Sequence, residues 1–297
     1  MQIAVTGTHG LIARHLIPAL EAAGHQVTAL VRGEAGPGQV HWDPDAGVLD
    51  AGDLAGIDAA IHLAGVGIFS RWSTEHKRRM LDSRVKGTHL LATRLAGLDP
   101  KPAVLLSGSA VGYYGDRGDE ILTEESRQGG GFLADLCAQW EGATEPAVTS
   151  GIRTVLLRTG IVQAGDGGAL GTQLPIFKLG AGGRLGSGRQ WTSWITIDDE
   201  VGAILYALRK GDLSGPINLT APEPVTNRTY TKTLGQVLHR PALLAVPGLA
   251  IKAVLGAQMA DEMLLGGQRA LPAALERSGY RFAQSDLDSG LRSVLDR

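Results

Sequence analysis

With 297 residues and 43% hydrophobic content, the chain has ample material for a core and room for one large or two small domains. A net charge of −2 supplies no basic field for nucleic acid or an anionic membrane. The single cysteine, Cys137, excludes an intramolecular disulfide and a cysteine-cluster metal site. It falls within an apolar helical pattern, which predicts a buried core thiol. The chain opens directly on a strand without a leader pattern, and no run of about 18 apolar residues is present. These features predict a cytoplasmic protein with no nucleic-acid or membrane partner.

Ile3-Ala4-Val5 reads as a buried strand, and Gly7-Thr8-His9-Gly10 as a tight turn. Leu11, Ile12, His15, Leu16, Ala19 and Leu20 then recur at helical spacing. Gly24 ends the helix, and Val27–Val31 forms a second strand. Strand, glycine turn, helix and strand in that order predict a dinucleotide site. Gly7 permits the sharp turn. Gly10 lets bare N–H groups of the turn and of Leu11 and Ile12 approach a pyrophosphate at the positive end of the helix. Ala13 takes the last small position of the motif. Arg32 follows the second strand, where an NAD site carries Asp or Glu for the ribose 2′-hydroxyl. An arginine suits a 2′-phosphate, so the expected cofactor is NADP(H).

Residues around His41-Trp42-Asp43-Pro44 predict a short hairpin or irregular strand. The next strand, from Ile57, ends in Leu63-Ala64-Gly65, small enough to admit a flat cofactor. His62 has no metal-spaced partner and reads as a packed core residue; no metal site is expected. Glu75–Leu98 is a long helix carrying Arg84, which is a candidate for facing the cofactor pocket. Val104–Ser109 is a strand leading to Tyr113 and Tyr114. A helix over 132–147 carries Trp140-Glu141, and Thr154–Gly160 forms another strand. The strand–helix alternation predicts an α/β fold, a doubly wound parallel Rossmann sheet. Trp191 and Trp194 beside a glycine-rich loop either shape a pocket or cover a core. Asp198 or Asp199 is expected to cap a helix over 200–209. The organisation expected is a Rossmann domain over 1–165 and a smaller, partly helical substrate lobe over 166–297. Ile195–Arg209 is expected to return to the first. Helices flanking such a sheet offer a face for a homodimer.

Several segments together resemble the extended short-chain dehydrogenase/reductase superfamily, in its epimerase-like branch with a distinctive C-terminal domain. They are TGTHGLIARHL from Thr6, DAAIHLAG from Asp58, RWSTEHK from Arg71 and SRVKGTHLL from Ser83. SGSAVGYYGDRGDEILTEES from Ser107, FLADLCAQWE from Phe132, LRTGIV from Leu157, SGRQWTSWITIDD from Ser187 and GQRALPAALERSGYRF from Gly267 complete the set. The resemblance implies an NADP(H)-binding Rossmann domain with a substrate lobe from the later segments. It also implies a catalytic Ser and a Tyr-x-x-x-Lys pair. Ser109 takes the Ser position, but the pair falls on Phe132, which cannot donate a proton, and Leu136, which carries no charge. Ala110 and Val111 stand where related dehydratases have an acidic pair. Thr192 stands where nucleotide-sugar epimerases place a phosphate-binding Arg, with Arg189 nearby.

Tyr113 and Tyr114 are then the candidate proton donors beside Ser109. Glu124, Glu125 and Glu141 are further carboxylates, with Glu141 better suited to pinning the loop or helix beside Trp140. Three functions stay open: an NADP(H)-dependent oxidoreductase of a small carbonyl or alcohol, a non-catalytic NADPH-binding sensor or regulator, and a sugar-nucleotide epimerase with an unorthodox acid–base pair.

Overall fold

The computed structural model describes residues 1–296. Seven strands form one sheet: β1 (Gln2–Thr6), β2 (Gln26–Val31), β3 (Gln39–His41), β4 (Ala59–His62), β5 (Val104–Ala110), β6 (Arg153–Thr159) and β7 (Gly215–Leu219). Their order is β7-β6-β5-β4-β1-β2-β3. The pairs β1–β2, β2–β3, β1–β4 and β4–β5 are all parallel. The chain runs outward through β2 and β3, then returns to the other side of β1 with β4. That reversal puts a topological switch point at the C-terminal ends of β1 and β4, where α/β sheets bind ligands.

Helices α1 (Leu11–Ala22) and α2 (Thr74–Ala96) connect strands of this sheet. The 39–48 stretch forms no hairpin of its own. Val40 and His41 join the sheet edge in parallel, and only Asp43 and Val48 bridge antiparallel. The helix expected over 132–147 is two helices, α3 (Phe132–Gly142) and α4 (Glu145–Thr149). Pro146 sits in the first turn of α4, where its missing N–H is not needed and its fixed φ suits the restart.

The chain divides into two compact units by a more interleaved rule than a cut near residue 165. The first holds 1–109, 136–157 and 201–217; the second holds 110–135, 158–200 and 218–297. The core of the first packs Leu30, Trp42, Leu54, Leu91, Leu95 and Leu105. In the second, α5 (Gly168–Lys178), α7 (Asn227–Val237) and α8 (Gly248–Leu255) accompany short two-stranded pairings, whereas α6 (Ile197–Arg209) starts in the second unit and belongs to the first from Val201 onward. Its core gathers Leu170, Phe177, Trp194, Tyr230, Leu234 and Leu291. Trp194 is therefore a core residue, and Trp191 donates its indole N–H to Asp119 at 2.7 Å under the Arg269 guanidinium.

Helix α6 begins three residues before the expected start. Its first turn is capped by Thr196, whose Oγ1 accepts from Asp199 N at 3.2 Å. Asp199 instead accepts N–H bonds from Ala283 and Gln284. The next residue, Glu200, is wholly buried. One carboxyl oxygen accepts from Thr159 Oγ1 at 2.9 Å and the other has no partner. Burial pushes its pKa from 4.5 to about 8. The folded state thus keeps a proton that the unfolded chain releases above pH 4.5. Stability falls as pH rises from there through about 8, at up to about 1.4 kcal/mol per pH unit. Glu200→Gln should remove this slope. Its thermal midpoint should exceed that of the parent at alkaline pH and converge with it in acid; parallel melting curves across that range would refute the assignment.

Candidate functional site

Gly7 sits at φ +72°, and a Cβ built there would lie 2.7 Å from the carbonyl carbon and oxygen of Leu63 and 2.8 Å from Ala64 N. The first turn and the end of β4 therefore meet backbone to backbone. Gly10 N–H donates to Gly7 O at 2.9 Å, and a Cβ on Gly10 would come within 3.1 Å of that oxygen. Gly10 is also the N-cap of α1 and offers no side-chain cap. The first N–H groups of α1, from Leu11 and Ile12, are left for an external anion at the positive end of the helix. Thr8 and His9 form the tip of the turn, and Ala13 is buried. These residues fit a dinucleotide pyrophosphate. Arg32, directly after β2, is more than half exposed and makes only a loose 3.8 Å contact with Asp45. Such an exposed pair contributes little, so the guanidinium remains available to a phosphate.

Thr6, His62 and Ser107 are register neighbours across β1, β4 and β5, and all three are buried. Thr6 Oγ1 accepts from Leu63 N at 3.1 Å and Ala64 N at 3.2 Å. Its own proton then goes to His62 Nδ1 at 2.7 Å, which assigns the His62 proton to Nε2. Burial, reinforced by the nearby Arg84 charge, lowers the His62 pKa to about 3. His62 is a neutral strut that holds the Leu63-Ala64-Gly65 loop through Thr6.

Arg84 lies against that loop: a Cβ on Gly65 would stand 3.0 Å from its Cζ. One guanidinium nitrogen donates to Val66 O at 3.0 Å and Met80 O at 3.1 Å, while buried Nε has no partner. Its face covers the Trp140 ring, 5.0 Å from the centroid. Trp140 also packs on Gly108, where a Cβ would fall 2.8 Å from Cζ2. Trp140 is thereby fixed against the backbone of β5, one residue before Ser109. The residue after Trp140 completes the arrangement, with Ser109 Oγ donating to Glu141 Oε1 at 2.6 Å. Glu141 therefore binds the serine itself, rather than only pinning its helix. Helix α3, which starts at Phe132 and contains Leu136, carries no tyrosine or lysine. Cys137 on the same helix is buried.

Tyr113 and Tyr114 lie in a 3₁₀ turn over Val111–Tyr114. Tyr114 is fully buried; its hydroxyl donates to Asn218 Oδ1 at 2.7 Å and accepts from Arg158 at 3.0 Å. Burial pushes its pKa to about 12. This removes Tyr114 from the proton-donor role, since its single proton is committed and its ring is packed with Leu122 and Ala270. Tyr113 is half-buried under the Arg158 guanidinium, 3.6 Å from the ring centroid. Glu124 accepts from Asn218 N and Ala274 N, and Glu125 makes an exposed ion pair with Arg277.

A parallel sheet with a glycine turn at its switch point and a serine at the end of β5 defines an extended short-chain dehydrogenase/reductase fold. Residues 3–132 match the NAD dependent epimerase/dehydratase family, and residues 246–294 match a domain of unknown function, DUF1731. The chain belongs to that epimerase/dehydratase family. An epimerase family protein of Mycobacterium bovis is 45% identical over 291 residues, covering 97% of this chain and 96% of its own. The human epimerase family protein SDR39U1 is 36% identical over 301 residues, covering 99% of this chain and 100% of its own. A crystal structure of the human protein with NADPH superposes at a TM-score of 0.91, with 33% identity over the whole of both chains. The UDP-glucose 4-epimerase of Thermus thermophilus with NAD is 19% identical at a TM-score of 0.76, covering 100% of this chain and 98% of its own; it shares the fold.

Proposed function

We propose that this protein is an NADP(H)-dependent oxidoreductase of a small carbonyl or alcohol, with Ser109 and Glu141 handling the proton. The observation that carries this reading is the 2.6 Å bond from Ser109 Oγ to Glu141 Oε1. The bound dinucleotide supplies or accepts the hydride. The Gly7–Ile12 turn holds its pyrophosphate, Leu63-Ala64-Gly65 and Arg84 line its path, and Arg32 meets the 2′-phosphate. Binding of NADPH by the human relative supports the phosphorylated cofactor.

Ser109 Oγ hydrogen-bonds the reacting oxygen. When an alcohol is oxidised, its hydroxyl proton passes to Ser109 Oγ as the serine proton moves to Glu141. Reduction of a carbonyl runs the same transfer backwards from protonated Glu141. A serine–carboxylate couple so replaces the missing tyrosine and lysine.

NADPH consumption across a panel of aldehydes and ketones tests this reading. Ser109→Ala should slow turnover on the order of 10²-fold while NADPH binding is retained. Unchanged turnover in that variant would remove the serine from the chemistry. The absence of tyrosine and lysine from α3 favours the sensor as second reading, which predicts NADPH binding without consumption by any of these compounds. Interconversion of sugar nucleotides with no net cofactor change would instead support epimerisation. Arg32→Asp should weaken NADPH binding on the order of tenfold to a hundredfold, the range of a lost charge-assisted hydrogen bond, and leave NADH binding unchanged in calorimetry. Equal loss for both cofactors would detach Arg32 from the 2′-phosphate.

A further inference from the structure

The second unit carries exposed leucines beside two cation-lined hollows that the proposed chemistry does not use. Residues 244–246 pair in parallel with 183–185, and Arg240 Nε donates to Lys178 O at 2.9 Å. The end of α5 and the stretch leading into α8 therefore lie side by side. Leu179 is 84% exposed, Leu243 89% and Leu249 81%, so almost the whole of each side chain projects outward. Hollows of about 410 and 340 Å³ share Lys232, Ala242 and Leu243. Arg184, Arg228, Lys232 and Arg240 line them, and no carboxylate does.

The guanidinium groups are held by carbonyl oxygens. Arg184 donates to Gly186 O, Arg228 to Ser187 O at 3.3 Å, and Arg240 to Lys178 O and His239 O. A carbonyl contact orients a guanidinium without neutralising it, which leaves the charge for an external anion.

We infer that this face docks on an anionic lipid surface, with the leucines entering the headgroup–acyl boundary and the cations meeting lipid phosphates. Projecting side chains suit insertion, whereas a small-molecule pocket requires lining groups that converge. A second copy using the same face would set cations against cations, because a two-fold contact presents one patch to itself. No helix among the described residues is long and apolar enough to cross a membrane, so attachment is at the surface. The net charge of −2 conceals this face because carboxylates elsewhere cancel its cations. Docking responds to charge within about one Debye length, roughly 8–10 Å, rather than to the whole-chain sum.

Flotation of the purified chain with phosphatidylcholine vesicles containing phosphatidylglycerol, against phosphatidylcholine alone, tests the inference. The protein should float with the mixed vesicles only and be released by salt. Arg228→Glu with Lys232→Glu should lower vesicle affinity on the order of tenfold or more. Leu243→Asp with Leu249→Asp should lower it comparably through the independent apolar contact. Both pairs should keep the parental melting temperature and dinucleotide affinity, since none of these residues belongs to the dinucleotide site. Failure to float with the anionic vesicles, or flotation indifferent to both pairs, would overturn the inference. So would a dimer in light scattering that the leucine substitutions dissociate, which would assign the face to a second copy.

Discussion

Glu141→Gln should reduce turnover on the order of 10²- to 10³-fold while NADPH affinity stays at the parental value. Glutamine has the same shape, and its amide oxygen still accepts the Ser109 hydroxyl. The Ser109 rotamer and the packing of Trp140 on Gly108 are therefore kept. What the amide cannot do is take up and return a proton. The substitution separates proton transfer from positioning, which Glu141→Ala would not, because alanine also releases Ser109. Steady-state kinetics beside calorimetric NADPH binding reads the difference. Ser109→Ala, Glu141→Gln and the double variant should all lie within a few-fold of one another, since groups acting as a unit are not additive. Parental turnover in Glu141→Gln would reduce Glu141 to a strut for the serine. Additive losses in the double variant would mean that the two residues act on separate steps.

The parts of this site that are legible in the sequence are those whose chemistry is local. Gly7, Gly10 and Ala13 lie within one turn and the start of one helix, and their spacing carries the backbone constraint. The small residues after β4 are legible for the same reason. The partner of Ser109 is not, because Glu141 is 32 positions away and reaches it only through packing of Trp140 on Gly108. A missing Tyr-x-x-x-Lys can be seen in a sequence, but its replacement requires the tertiary contact. Tyr113 and Tyr114 look equivalent as neighbours on a loop. Burial of Tyr114 against Asn218 and Arg158 separates them, and that burial depends on residues over 40 and 100 positions away. The division into units is concealed for a related reason. The chain enters the second unit at residue 110, leaves at 136 and returns at 158 and 218, so a single boundary near 165 catches only the middle one of three entries.

Gly7→Ala should abolish measurable dinucleotide binding and also destabilise the fold. The φ of +72° costs a non-glycine residue about 1–2 kcal/mol. Strain alone does not explain the expected loss of binding. The added methyl would lie 2.7 Å from the Leu63 carbonyl and 2.8 Å from Ala64 N, both main-chain groups that cannot rotate away. Either the first turn or the Leu63-Ala64-Gly65 loop must retreat, and both edges of the pyrophosphate cradle are then misplaced. A shift of several tenths of an ångström already lengthens charge-assisted N–H bonds beyond their useful range. Dinucleotide affinity should fall by about a hundredfold or more, with roughly 2–4 kcal/mol lost from unfolding. Gly24→Ala supplies the comparison. Gly24 has a similar φ of +81°, but nothing lies within 4 Å of the position its Cβ would take. It should show the strain cost in a denaturant melt and normal binding in calorimetry. Equal binding losses in the two variants would mean that stability, rather than the meeting of the two loops, governs the site. Parental binding in Gly7→Ala would show that the pyrophosphate does not rest on this turn.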